Sequence, residues 1–317
     1  MDDTTGSLAI SFDPASRTTE LWSGFVQDTI EIVEDELDLV LGTKIEHNDY
    51  TGLEIQPNAR LLWQPSDVHT LWGAVSHAVR TPSRSDNDAR LNAGAIPPFT
   101  PDNPTPFPIL IFFFGNDQIE AENLTSYELG YRTQPVTWIS LDTTAFYNDY
   151  SDVIVGSVGT PFLETTPAPA HLILPINATN DAWMHVYGLE QVATLQVTPD
   201  WRLQGTYGLL KVVASDPSLE GGSPEQQATL RSLYNVTPDV NWDATLRYVD
   251  GLPGLGVSDY LTLDTRIAWR PEEGVEIALT GRNLLQGSHL EFGSTGNFAT
   301  SPAVVERSVF LSLSVRF

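Results

Sequence analysis

The sequence predicts an all-β protein, an antiparallel up-and-down transmembrane β-barrel, and three observations carry that expectation. Apolar and polar residues alternate with period two almost throughout, few windows hold a 3.6-residue pattern, and each alternating stretch runs about ten residues. The stretches are joined alternately by short Pro-bearing connections and by long polar or Gly/Pro-rich ones, so one end is tight and the other elaborated. Five of the eight Trp (Trp63, Trp138, Trp201, Trp242 and Trp269) lie within a few residues of the short turns and mark one level of the sheet. Indole is apolar with a single donor and settles at a membrane–water boundary; a soluble sandwich has no such reason to hold Trp at one level.

Strands are expected at 19–31, 37–47, 55–64, 69–80, 125–134, 138–154, 180–197, 201–214, 226–236, 240–249, 260–270, 275–284 and 307–317. A partial strand at 7–12 makes thirteen or fourteen in all. Within them Val240, Trp242, Ala244, Leu246 and Tyr248 oppose Asn241, Asp243, Thr245 and Arg247; Leu261, Leu263, Thr265, Ile267 and Trp269 oppose Thr262, Asp264, Arg266 and Ala268. The short connections sit at Pro65, Pro135, Pro199, Pro238 and Pro271, and the long ones span about 81–124, 155–179, 215–225, 250–259 and 285–306. In the last strand Val309, Leu311, Leu313, Val315 and Phe317 share one parity, Ser308, Ser312, Ser314 and Arg316 the other, and Phe310 is the exception. Alternation alone leaves two readings open. In a soluble β-sandwich the apolar face is the core; in a membrane barrel it faces lipid and the charged face lines the lumen. Strand length, turn asymmetry and the Trp level favour the barrel.

The balance of 16 basic against 41 acidic residues gives a net charge of -25, and only Lys44 and Lys211 are lysines. Such a chain repels phosphate backbones, so no nucleic-acid partner is expected. There is no Cys, hence no disulfide or thiolate metal site. The opening MDDTTGSLAI has no basic, apolar and small-residue succession, so no signal peptide is expected. The longest apolar run, FPILIFFF at 107–114, is broken by Pro108 and far short of a spanning helix. It is expected to extend a strand pair beyond the membrane, in preference to folding over the mouth.

The six His are scattered, and Asp86-Asn87-Asp88 lacks the following Gly and distal Glu of a calcium loop, so no metal site is expected. No nucleophile elbow, H-E-x-x-H or phosphate-cradling loop occurs, and Glu120, Glu122, Glu272 and Glu273 read as solvated turn charges. The chain therefore reads as a non-enzyme without a cofactor. The remaining candidates are the charged residues of the polar parity: Lys44, Glu46, Arg80, Glu128, Arg132, Arg202, Arg247, Asp264, Arg266, Glu276, Arg282 and Arg316. If the barrel reading holds they line the interior, where charges pair with one another or with whatever fills it.

Six stretches in order, SGFVQDTIEI with LDLVLGTKIEH (23–47), HTLWGAVSHAVRTPSRSD (69–86), GNDQIEAENLTSYELGYRTQ (115–134), LDTTAFYNDYSDVI (141–154), LTGRNLL (279–285) and the terminal Phe317, resemble the C-terminal barrel portion of TonB-dependent outer-membrane receptors. The resemblance implies a segment of a barrel of about 22 strands with a plugged lumen, in the outer membrane of a Gram-negative bacterium, surrounded by its lipid. It implies an extracellular small ligand, most often a ferric siderophore, and uptake energised by the TonB complex acting on the plug domain. Phe317 would be the C-terminal signal read by the outer-membrane assembly machinery. Haem receptors of the family carry a His between the motifs matching 79–83 and 115–124; none stands there, so haem is disfavoured. Arg80, Glu128 and Arg132 lie inside matched motifs and are expected to be structural or plug contacts, with Arg247, Arg266 and Arg282 as further lumen- or plug-facing candidates. Nothing in 1–317 resembles the plug, so the whole chain is expected to be the C-terminal portion of a receptor and a fragment. The competing reading from another class is a soluble all-β ligand- or sugar-binding module.

Overall fold

The computed structural model describes residues 2–3, 7, 9–293 and 302–316. Thirteen strands dominate it: β1 (Leu21–Val33), β2 (Leu37–Asn48), β3 (Gly52–Ser66), β4 (His69–Arg80), β5 (Glu122–Val136), β6 (Ile139–Val158), β7 (His171–Thr198), β8 (Trp201–Ala214), β9 (Gln226–Thr237), β10 (Val240–Val249), β11 (Tyr260–Glu272), β12 (Val275–Arg282) and β13 (Ser308–Val315). Each pairs antiparallel with its neighbours in chain order, so the sheet is a single up-and-down meander. It is open: β1 pairs only with β2 and β13 only with β12, and among the described residues the two edge strands do not pair with each other.

One end carries only tight turns, such as Ser66 to His69, Thr198 to Trp201 and Thr237 to Val240, while the opposite end carries the long connections. The exception is the reversal between β2 and β3, three residues long at the elaborated end. There the Asn48 side chain accepts from the Tyr50 and Thr51 amides, both at 2.9 Å, and Gly52 takes a φ of 79° that favours glycine.

The sandwich alternative fails on burial. Leu129, Leu230, Leu311 and Leu313 are 64%, 51%, 71% and 67% exposed, so no second layer of this molecule covers the apolar face. The Trp level is real: Trp201, Tyr234 and Trp242 stand opposite one another across β8, β9 and β10, and Trp269 pairs with Val240 one step away. Phe310 belongs to the polar face, where the Arg282 guanidinium lies 5.3 Å from its ring centre.

All thirteen expected strands form, and the partial one is realised as Ile10–Phe12. Two regions expected as long connections hold strands, and the expected strand extension by the FPILIFFF run lies in the first of them. The connection after β4 contains Ala89–Ile96 and Ile109–Phe114, an antiparallel pair, and β7 starts at His171, nine residues before its expected start at 180. The FPILIFFF run adds in parallel to Leu172–Asn177 at the outer end of β7. The run thus bridges from the end of β4 to β7, across two intervening strands. Period-two alternation is missing there because residues of both parities are apolar, Leu110, Phe112 and Phe114 on one face and Ile109, Ile111 and Phe113 on the other, although only the first face is buried at Phe112 and Ile173.

Candidate functional site

On the polar face, register brings most of the expected charges into pairs within the wall. Arg132 donates to Asp142 across the β5–β6 pair at 2.6 and 2.7 Å. Glu128 meets Arg60 at 3.8 Å over the small Ala74 between them. Arg266 and Arg270 both hold Glu276, Arg270 at 3.0 Å. Lys44 holds Glu46 at 2.6 Å, and Arg247 reaches the Tyr260 hydroxyl at 3.1 Å and Glu291 at 3.4 Å. Arg80 sits at the rim, at the outer end of β4, bidentate on Glu122 at 2.5 and 2.7 Å with Asp86 at 3.6 Å. Arg282 stacks on Phe310, and Asp264 accepts the Asn283 amide at 2.8 Å. Phe317 lies outside the described residues. Sequence reasoning missed Arg60 and Asp142, whose partners are set by cross-strand register, and Arg231. Arg231 faces the lumen beside Asp243, Asp264 and Arg282 with no ion-pair partner among the described residues.

The elaborated end holds a cleft of about 410 Å³ between the added sheet and the start of β7. β7 has 28 residues and β6 has 20, where about 9–11 suffice to cross a bilayer, so this hairpin carries the cleft well beyond the membrane. Its charged wall is a chain of three side chains. Arg90 donates to Glu164 at 2.7 Å while its guanidinium lies 4.5 Å from the Phe112 ring centre. His171, buried, contacts the same Glu164 oxygen through Nε2 at 3.0 Å and the Pro169 carbonyl through Nδ1 at 2.8 Å. Both His171 partners are oxygens, the Glu164 carboxylate and the Pro169 carbonyl. The Arg90 hydrogen bond, seconded by His171, holds the Glu164 carboxyl below its ordinary value. Leu110, Phe112 and Pro167 supply the apolar walls. No motif signals this cleft, because its residues come from the N-terminal segment and from two separated connections, 81–124 and 155–179.

A family model, TonB dependent receptor-like, beta-barrel, matches residues 1–284. The chain belongs to the TonB-dependent receptor family. A TonB-dependent receptor barrel resides in the outer membrane, so the apolar face is the lipid face and the elaborated end is extracellular. Among curated relatives, the iron-regulated outer membrane virulence protein of Vibrio cholerae is 23% identical over 211 residues, 65% of this chain and 29% of that protein. The probable TonB-dependent siderophore receptor PirA of Acinetobacter baumannii is 26% identical over 203 residues, 62% of this chain and 24% of that protein. The solved siderophore receptor PirA from Acinetobacter baumannii superposes with a TM-score of 0.72 at 18% identity, covering 94% of this chain and 46% of that one. A ferric enterobactin receptor (PfeA) mutant from Pseudomonas aeruginosa gives 0.74 at 19%, covering 95% and 45%. This TonB-dependent receptor chain thus spans less than a third of its curated relatives and a little under half of the solved receptors. The family match stops at 284, yet β13 beyond it completes the ladder on β12.

Proposed function

We propose that this chain is the C-terminal wall of a ferric-siderophore uptake receptor, energised through TonB in the complete protein, and that it performs no catalysis. The observation that carries the reading is the lipid-facing meander raising a charged, aromatic-walled cleft at its extracellular end, together with relatives named as siderophore receptors. Residues 1–317 make one barrel portion, completed by further strands and a plug domain contributed by the rest of the receptor. Strand direction supports this. In a meander of thirteen strands β1 and β13 run the same way, so antiparallel closure needs an odd number of additional strands, and nine would give the 22 of the largest plugged barrels. Within the wall, Arg80, Glu128 and Arg132 act as ion pairs that brace neighbouring strands. Arg247 and Arg266 lie on the same lumen face, and Arg282 with the unpaired Arg231 is the better placed to meet the plug. The assembly machinery would read Phe317, beyond β13.

The test is uptake of radioactive ferric catecholate and hydroxamate siderophores by a receptor-deficient strain. That strain expresses this chain joined behind the plug and N-terminal strands of Acinetobacter baumannii PirA. Accumulation that depends on TonB is expected. A heat-modifiable, correctly inserted barrel that takes up none of them would overturn the siderophore reading.

A further inference from the structure

On the lipid face of β1 one carboxylate interrupts an apolar row. Register fixes which residues share that face: Ile30 stands opposite Leu39, Asp28 opposite Leu41, Val26 opposite Thr43 and Trp22 opposite His47. Leu41 and Ile45 are on the exposed, lipid-facing parity of β2, so Trp22, Val26, Asp28 and Ile30 face lipid too, as does Val33 opposite Leu37 after the bulge. Asp28 lies midway between Trp22 and the tight turn after Val33. With a rise of about 3.3 Å per residue and a tilt near 45°, it sits roughly 12 Å above that turn, near the middle of an apolar band about 25 Å tall.

Nothing described in this chain satisfies it. Asp28 makes no hydrogen bond or ion pair among the described residues. Its neighbours on β2 are Leu39, Leu41 and Thr43, and the Thr43 hydroxyl is itself buried without a partner. The opposite side of β1 pairs with nothing among the described residues and is the free edge of the sheet. Charged side chains at bilayer depth are found paired or turned inward, because an uncompensated one facing acyl chains is destabilising. The partner must therefore arrive from the free edge.

We propose that the strand covering the free edge of β1 presents an outward Arg or Lys opposite Asp28, and that this pair sets the register of the seam where the two parts of the receptor meet. The inference rests on the reading above that further strands close the barrel. A second copy of this chain cannot serve. In a shared membrane orientation its β13 runs parallel to β1 and offers only Val309, Leu311, Leu313 and Val315 outward, and its β1 brings a second Asp28. A one-residue slip of the seam would turn the basic side chain into the lumen and strand Asp28 in lipid, which is why one pair suffices to select register.

The sign of a substitution decides the matter. In the complete receptor folded in detergent micelles, Asp28→Leu is expected to lower the urea midpoint of unfolding. Reversing both charges, Asp28→Lys with an acidic residue at the partner position, is expected to restore it. A midpoint that rises or stays put in Asp28→Leu would overturn the proposal, since removing an unpaired charge from lipid stabilises a barrel. Should Asp28→Leu fail to assemble, Asp28→Cys in this cysteine-free chain can be cross-linked against single cysteines scanned along the covering strand. Cross-linking centred on an outward basic position supports the pair, and cross-linking centred elsewhere or nowhere removes it. If the 317-residue chain alone gives the same heat-modifiable band without further strands, the fragment reading fails. That outcome is distinct from a rise in the Asp28→Leu midpoint.

Discussion

Glu164 carries a pH dependence whose direction follows from its partners. Its folded carboxyl titrates below the ordinary 4.5 because Arg90 and His171 favour the anion. A depressed carboxylate contributes stability that is fully present above the unfolded value and lost as pH falls through the folded one. Below pH 4.5 the cleft sheet should therefore loosen. Amide exchange in 109–114 and 171–177 should accelerate there, and Glu164→Gln should remove the acid step. Arg90→Ala is expected to weaken siderophore binding at least tenfold in an equilibrium titration with the complete receptor, since it takes the guanidinium from both Glu164 and the Phe112 ring. On the lumen wall, Gly130 stands opposite Trp72, and a Cβ there would overlap the indole, over which Arg60 lies at 4.9 Å. Gly130→Ala should cost about 1–3 kcal/mol in urea unfolding of the receptor, the usual penalty of overpacking. Trp72 stands one residue from the level of Trp63 but on the opposite face, so it is a lumen-face plate resting on a glycine and not part of the girdle.

At the scale of strands, facing is the controlling variable. Leu311 and Ser312 are sequence neighbours on β13 with opposite faces. Leu311→Lys should destabilise the barrel by up to about 2–4 kcal/mol, the cost of a cation at mid-bilayer, whereas Ser312→Lys should fall within about 0.5 kcal/mol. Equal effects on the urea midpoint would contradict the assigned lipid face. The alternation that fixes facing was legible almost throughout, most plainly in β8, β10, β11, β12 and β13, and it included the parity of Arg132, Arg266 and Arg282. Pairing was not. Arg60 finds Glu128 two strands away, and Asp142 finds Arg132 across a hairpin, because register decides partners and a hydrophobic pattern sets register only modulo two. The FPILIFFF run was expected to extend a strand pair, but the pairing of Ile109–Phe114 with Ala89–Ile96 and with β7 was illegible because both parities of the run are apolar and show no alternation to read.

For the molecule as a whole, the open sheet is its defining property. Each free edge leaves a row of backbone groups unpaired at bilayer depth, several kcal/mol apiece in lipid, so this chain expressed alone should partition into inclusion bodies and give no heat-modifiable band. A monodisperse species in plain buffer would contradict it. Arg132→Glu, which breaks one exposed wall pair, should leave TonB-dependent uptake by the complete receptor within twofold, since such a pair contributes only about 0–1 kcal/mol. A total loss of uptake would instead make Arg132 a plug contact. The sequence by itself determined the strands, their faces and the two unlike ends, because period two and turn chemistry are local properties of the chain. Only the tertiary structure decided which charges meet, that the loop after β4 lends a strand to β7, and where the Arg90, Glu164 and His171 cleft forms. Those contacts join residues distant along the chain, and no local pattern encodes their meeting.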